Sequence, residues 1–115
     1  MIEKETFALE SVPGSDPNTR VLRLTGPLVL QNIFELQAEL NKEHPAMTIL
    51  DLAGVPYMDS AGMGVIINYY VSTTKRGNKV IAAGASNRVL ELFKLTRVDT
   101  VIPLAGTVEE AESQG

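Results

Sequence analysis

The chain has no cysteine, no tryptophan and a single histidine. Without cysteine there is no disulfide, no thiolate nucleophile and no thiolate metal site, a usage that fits a cytoplasmic protein. The lone histidine, His44, stands beside Pro45 in an expected exposed loop, so it reads as a solvated side chain and not as the base of a serine hydrolase. The Gly-x-Ser-x-Gly nucleophile elbow is also missing. No apolar run approaches the roughly 18 residues needed to span a bilayer. Met1-Ile2-Glu3-Lys4-Glu5 lacks the basic-then-apolar order of a signal peptide. Basic charge is scarce too: 10 Lys and Arg stand against 14 Asp and Glu, a formal net charge of −4. That balance disfavours nucleic acid and anionic lipid as partners. Gly62-Met63-Gly64 has no third glycine, and no Gly-x-x-x-x-Gly-Lys occurs, so no nucleotide loop is expected. The acids show no metal-ligand spacing, and neither metal nor cofactor is expected.

What remains is a 115-residue chain that is 44% hydrophobic, expected to form one domain over residues 1–115. Thr6 to Val12 reads as a strand with Phe7, Leu9 and Ser11 on one face. Pro13-Gly14-Ser15-Asp16-Pro17-Asn18 is a dense run of turn formers, and Val21–Thr25 follows as the second arm of a hairpin, broken by Gly26-Pro27. Ile33, Leu36 and Leu40 place a helix over about Gln31–Lys42, ended by His44-Pro45. Met47–Leu52 is a third strand. A long helix runs from Ser60 to Arg76, stopped by Gly77-Asn78. Lys79–Ala83 is a fourth strand and Asn87–Leu95 a helix capped by Ser86, with Val89, Leu92 and Phe93 on one side. Val101–Leu104 reads as the last strand, and Thr107-Val108-Glu109-Glu110 as a capping box that opens a final helix. The order β-β-α-β-α-β-α-β-α implies an α/β fold, a mixed sheet of about five strands with about four helices. Arg20, Lys75 and Arg76 read as ordinary solvated charges.

In such sheets function gathers where strand ends meet helix starts. The informative junction is Asp51 to Ser60. Asp59 can cap the long helix, and Ser60 then lies in its first turn near the surface. Gly62 and Gly64 follow inside the helix, where each costs about 0.5–1 kcal/mol against alanine and so calls for a reason, such as close approach of another backbone. The bland reading is a capped helix with glycines packed on the sheet. On this helix Met63, Ile67, Tyr70 and Thr74 form one stripe, and Val65 with Tyr69 a second, about 100° away. Burial on both sides is the favoured explanation, a partner surface the alternative. A receiver-type reading would use Asp51 or Asp59 as phosphoacceptor, but Glu10-Ser11-Val12 supplies no acid pair for magnesium.

The stretch Ile49-Leu50-Asp51-Leu52-Ala53-Gly54-Val55-Pro56-Tyr57-Met58-Asp59-Ser60-Ala61-Gly62-Met63-Gly64-Val65-Ile66 resembles the STAS family, the fold of bacterial anti-sigma factor antagonists. The signature is an apolar–Asp–apolar strand, a short loop, then Asp-Ser-small-Gly-apolar-Gly. The likeness continues through Gly77-Asn78-Lys79-Val80 and Val89–Leu95 to Val108-Glu109-Glu110-Ala111. It implies a non-enzymatic protein-binding switch, monomer or weak dimer, phosphorylated on the serine after the aspartate, Ser60. Unphosphorylated, such a protein binds an anti-sigma factor, often itself a serine kinase, and frees a sigma factor. Phosphorylation ends the interaction and a phosphatase resets it. Asp59, Ser60, Ala61, Gly62, Met63 and Gly64 are then the expected partner-binding residues. Ala61 stands where some members carry a second serine. Val29, in Gly26-Pro27-Leu28-Val29, stands where many carry an acid that helps kinase recognition. That difference favours an alternative role: a scaffold or sensor module that binds a protein or small ligand without a kinase cycle.

Overall fold

Residues 7–114 are described by a computed structural model. Thr6, the expected first residue of the opening strand, lies outside them. Five strands form one sheet in the order β1-β2-β3-β4-β5. They are β1 (Ala8–Pro13), β2 (Thr19–Thr25), β3 (Met47–Gly54), β4 (Lys79–Ala83) and β5 (Leu104–Ala105). The turn formers at 14–18 deliver the expected hairpin: β1 and β2 are antiparallel, with Leu9 opposite Leu24. From β2 onward every pairing is parallel. The crossovers carry α1 (Ile33–Leu40), α2 (Ser60–Lys75) and α3 (Asn87–Leu95), and α4 (Val108–Gln114) closes the chain. Because the strands are laid down in sequence order and parallel crossovers are right-handed, α1, α2 and α3 fall on one face of the sheet.

Strand alternation divides the apolar residues accordingly. Leu22, Leu24, Leu50, Leu52, Val80 and Ala82 meet Leu36 and Leu40 of α1, Ile66 of α2 and Phe93 of α3 in the main core. Val21, Ile49, Ile81 and Ala83 point the other way, where Ala111 of α4 packs on them. Fully burying a leucine contributes about 1.5–3 kcal/mol, so the crowded face holds most of the stability.

Local differences from the sequence reading have local causes. A 3-10 turn over Leu30–Asn32 precedes α1, and the Asn32 side-chain amide donates to the Pro27 carbonyl at 2.7 Å. The last strand is not Val101–Leu104. A second 3-10 turn, Val98–Thr100, curls the chain so that Val101 and Ile102 N–H both donate to the Val98 carbonyl, which buries Ile102 and delays β5 to Leu104–Ala105. On α2 the buried residues are Gly62, Met63, Val65, Ile66, Tyr69 and Thr73, one broad face centred on Ile66, while Thr74 is exposed. The two separate stripes are therefore the flanks of a single face. Arg20 is no solvated charge: it is 4% exposed and its Nη1 donates to the Glu39 carbonyl at the end of α1. Lys75 and Arg76 are exposed as expected. Thr107 and Ser86 do cap their helices, accepting from Glu110 N at 3.1 Å and Val89 N at 3.3 Å.

Candidate functional site

The end of β3 leads into α2 through Val55 to Asp59, and the backbone of Leu28 laces this segment down. Leu28 N donates to the Tyr57 carbonyl at 3.1 Å, and Asp59 N donates to the Leu28 carbonyl at 3.2 Å. Leu28 and Met58 thereby form an isolated parallel bridge. This lacing explains Gly62. A Cβ there would lie 2.8 Å from Leu28 Cγ and 3.0 Å from its carbonyl carbon, so the first turn of α2 can cross Leu28 only without a side chain at that position. Gly64 has no such reason, because a Cβ there would meet nothing within 4 Å. The close approach expected for both glycines holds for Gly62 alone.

Asp59 is the N-cap, with extended backbone at φ −101°, ψ −177°. Its two carboxylate oxygens serve two elements. Oδ1 accepts from Gly62 N at 2.9 Å, and Oδ2 accepts from Leu30 N at 3.1 Å. One side chain therefore satisfies an orphan donor of α2 and pins the 3-10 turn that precedes α1. Ser60 follows as the first helical residue. It is exposed, and its hydroxyl has no hydrogen-bond partner among the described residues. The hydroxyl is thus reachable, and the cap holds the turn without it.

Asp59, Ser60, Ala61, Gly62, Met63 and Gly64 are brought together as one helical turn and a half, but their exposure differs. Gly62 and Met63 are buried, Asp59, Ala61 and Gly64 are half-buried, and Ser60 is exposed. Beside them lie features the sequence reading did not pick out. Leu30, tied to Asp59, is 58% exposed, and Phe34 one helical turn on is 71% exposed. Their spacing of four at the start of an amphipathic helix was the available signal. Arg88 of α3 places its guanidinium carbon 4.9 Å from the centre of the Tyr57 ring. Val29, half-buried, stands at the N-cap of the 3-10 turn with no side-chain cap to offer.

The rival chemistries find no geometry. His44 Nδ1 lies 2.8 Å from Arg76 Nη1, at the far end of α2 from Ser60. The helix between them has 16 residues, a length of about 24 Å, so His44 is no base for Ser60. Asp51 lies on the α4 side of the sheet, where it accepts from Arg23 Nε at 3.3 Å and from Ala53 N at 3.1 Å. Among the described residues no group of three or more His, Asp or Glu could hold a metal ion. No helix among them is long and apolar enough to cross a membrane.

Comparison with known proteins agrees with this fold. The "Anti-sigma-B factor antagonist" of Listeria monocytogenes is 33% identical over 66 residues, which is 57% of this chain and 56% of the relative. The match thus spans little more than half the length of either protein. An anti-sigma factor antagonist of Mycobacterium paratuberculosis superposes with a TM-score of 0.77 at 19% identity, covering 96% of this chain and 93% of the other. The Bacillus cell fate determinant SpoIIAA, in its phosphorylated form, does so with a TM-score of 0.71 at 20% identity, covering 95% and 98%. The family pattern described as "STAS domain" matches residues 12–111. With β-hairpin, parallel sheet and Asp-Ser helix entrance all in place, the chain belongs to the STAS domain family.

Proposed function

We propose that this chain is an anti-sigma factor antagonist whose binding surface is centred on Ser60 and is switched off by phosphorylation there. The observation that carries this reading is the exposed Ser60 hydroxyl at the entrance of α2, beside a cap that does not use it. Unphosphorylated, the chain binds an anti-sigma factor in the cytoplasm and releases a sigma factor. A serine kinase, which can be the anti-sigma factor itself, transfers the γ-phosphoryl group of ATP to Ser60 Oγ. The hydroxyl proton leaves with the kinase's base and ADP departs. A phosphatase restores the hydroxyl by hydrolysis. The chain itself performs no catalysis.

The surface suits docking. Ser60, Ala61 and the bare Gly64 form a low helical ledge, with Leu30, tied to Asp59, exposed beside it. Gly62 and Met63, being buried, shape this ledge from below. A phosphoserine brings about −1.5 to −2 charges and three strong acceptors. The dipole of α2 favours a negative group at its N-terminus by roughly 0.3–1 kcal/mol, so the fold tolerates the modification. A docked partner does not, since the dianion must be desolvated in the contact. A partner carboxylate about 4 Å away would add repulsion of order 4 kcal/mol at an effective dielectric near 20, about a thousandfold in affinity. The test is a calorimetric titration with the host's anti-sigma factor. Ser60→Asp should weaken binding by a factor of about 100 or more while the melting temperature stays within a few degrees. Equal affinities for Ser60 and Ser60→Asp would remove the switch.

Val29 favours a second reading, since an apolar side chain stands at the position where many relatives present an acid to the kinase. In that case the same surface serves a scaffold or sensor role without a kinase cycle. Intact mass of the protein from its native host separates the two: a fraction heavier by one phosphate supports the switch, and its lack under every growth condition supports the scaffold.

A further inference from the structure

We propose that Arg88 leaves the Tyr57 ring to hydrogen-bond the phosphate group of phospho-Ser60. The inference rests on the reading that Ser60 is the modified residue, and it adds a second element, α3, to the switch. Arg88 stands in the first turn of α3, at the end of β4, while Tyr57 and Ser60 belong to the connection that leaves the neighbouring parallel strand β3. Both connections therefore emerge at the same end of the sheet. The 4.9 Å contact between the Arg88 guanidinium and the Tyr57 ring shows that they meet. Ser60 stands three positions after Tyr57, so their Cα atoms lie at most about 11 Å apart. The phosphate contact needs a swing of the long arginine side chain away from the ring.

The chemistry favours that swing. Arg88 is exposed and, among the described residues, makes no ion pair. A ring face attracts the cation but offers its five N–H donors no oxygen. A phosphoryl group supplies three acceptors in the geometry that a guanidinium matches with two parallel hydrogen bonds. Asp59, the carboxylate nearest Ser60, already accepts from Gly62 N and Leu30 N. Glu91, one turn along α3, is the competing acid on Arg88's own helix. Arg23 is held by Glu10 and Asp51, Arg20 by Glu39, and Arg76 meets His44 at the far end of α2, while Arg97, just past the end of α3, is the other exposed guanidinium; Arg88 is the one in contact with the Tyr57 ring. In the phosphorylated protein the contact ties the entrance of α2 to the entrance of α3, across the surface that the partner would occupy.

The test needs neither kinase nor partner. Phosphoserine is installed at position 60 during synthesis in the full chain, in the Arg88 protein and in Arg88→Gln and Arg88→Lys variants, and the phosphorus resonance is titrated at low salt. The second ionisation should fall lower with Arg88 than with Arg88→Gln by about half a pH unit, with Arg88→Lys between them. The Arg88 Nε–H resonance and the Tyr57 ring protons should shift on phosphorylation. Coincident titrations for Arg88 and Arg88→Gln, with those resonances unmoved, would overturn the proposal. Such a result would leave the docking role of Ser60 standing. Failure of that role would instead show as partner affinity indifferent to the phosphate.

Discussion

A methyl group added at Gly62 would run into Leu28, and one added at Gly64 would meet nothing. The two positions therefore separate folding from docking. Gly62→Ala should destabilise by about 1–3 kcal/mol through overpacking. Gly64→Ala should stabilise by about 0.5–1 kcal/mol through helix propensity, yet weaken the partner, because the ledge beside Ser60 loses its flatness. Chemical denaturation paired with a binding titration reads both effects, and a Gly64→Ala protein with unchanged affinity would remove Gly64 from the interface. The need for glycine at 62 was legible as a cost in the sequence, but the sequence could not show which backbone came close. That backbone, Leu28, lies 34 residues upstream and reaches α2 only through the sheet. Elsewhere, Glu112 accepts from the hydroxyl and then the backbone N–H of Ser15, and these bonds hold its carboxyl below the usual glutamate range against a small opposing desolvation. A depressed carboxyl favours the folded form above its unfolded pKa and loses that support as pH falls through the folded value. The protection factor of the Ser15 amide, its exchange rate relative to the free-peptide rate at each pH, should therefore fall on acidification through that range, and Glu112→Gln should flatten the dependence.

At the level of elements, α2 was read almost to the residue, from its aspartate cap and its terminal glycine. Gly77 takes φ +81°, the left-handed conformation that ends the helix. The strands were read from alternation, and the last was placed three residues early because the apolar run is Val101–Leu104, while the turn at Val98–Thr100 curls Val101 and Ile102 out of the sheet. Arg20 was misread for a related reason: a charged residue in an otherwise apolar strand shows its neighbours but not the helix end that covers it. Its Nε and Nη2 are buried without a partner among the described residues, so it contributes less than an apolar side chain of its size. Arg20→Met should leave the melting temperature unchanged or raise it. Asp59→Ala should do the reverse, costing about 0.5–2 kcal/mol for the lost cap. It should also free the Leu30 turn, measurable as faster amide exchange at Leu30 as well as at Gly62. Exchange accelerated at Gly62 alone would show that the Asp59–Leu30 contact holds nothing.

Over the whole molecule the work is divided between the two faces of the sheet and its edges. Three helices on one face build the core, where Leu50→Ala should cost about 2–5 kcal/mol. The strand-to-helix edge carries Ser60, which this core holds in place without covering. The STAS fold and the exposed place of Ser60 at the start of α2 were legible from one segment, because the Asp-Ser-x-Gly spacing encodes a local event, a helix entrance. The contacts of Leu30 with Asp59 and of Arg88 with Tyr57 were not, because those residues come from other crossovers and meet this segment only through the parallel order of the strands. The account stands or falls on how the fold and the partner each respond to a phosphate at Ser60. The direct measurement compares protein bearing phosphoserine at 60 with unmodified protein, recording the melting temperature and the anti-sigma factor dissociation constant of each. The account predicts melting temperatures within a few degrees and affinities about a thousandfold apart. Equal affinities, or a phosphoprotein that no longer folds, would contradict it.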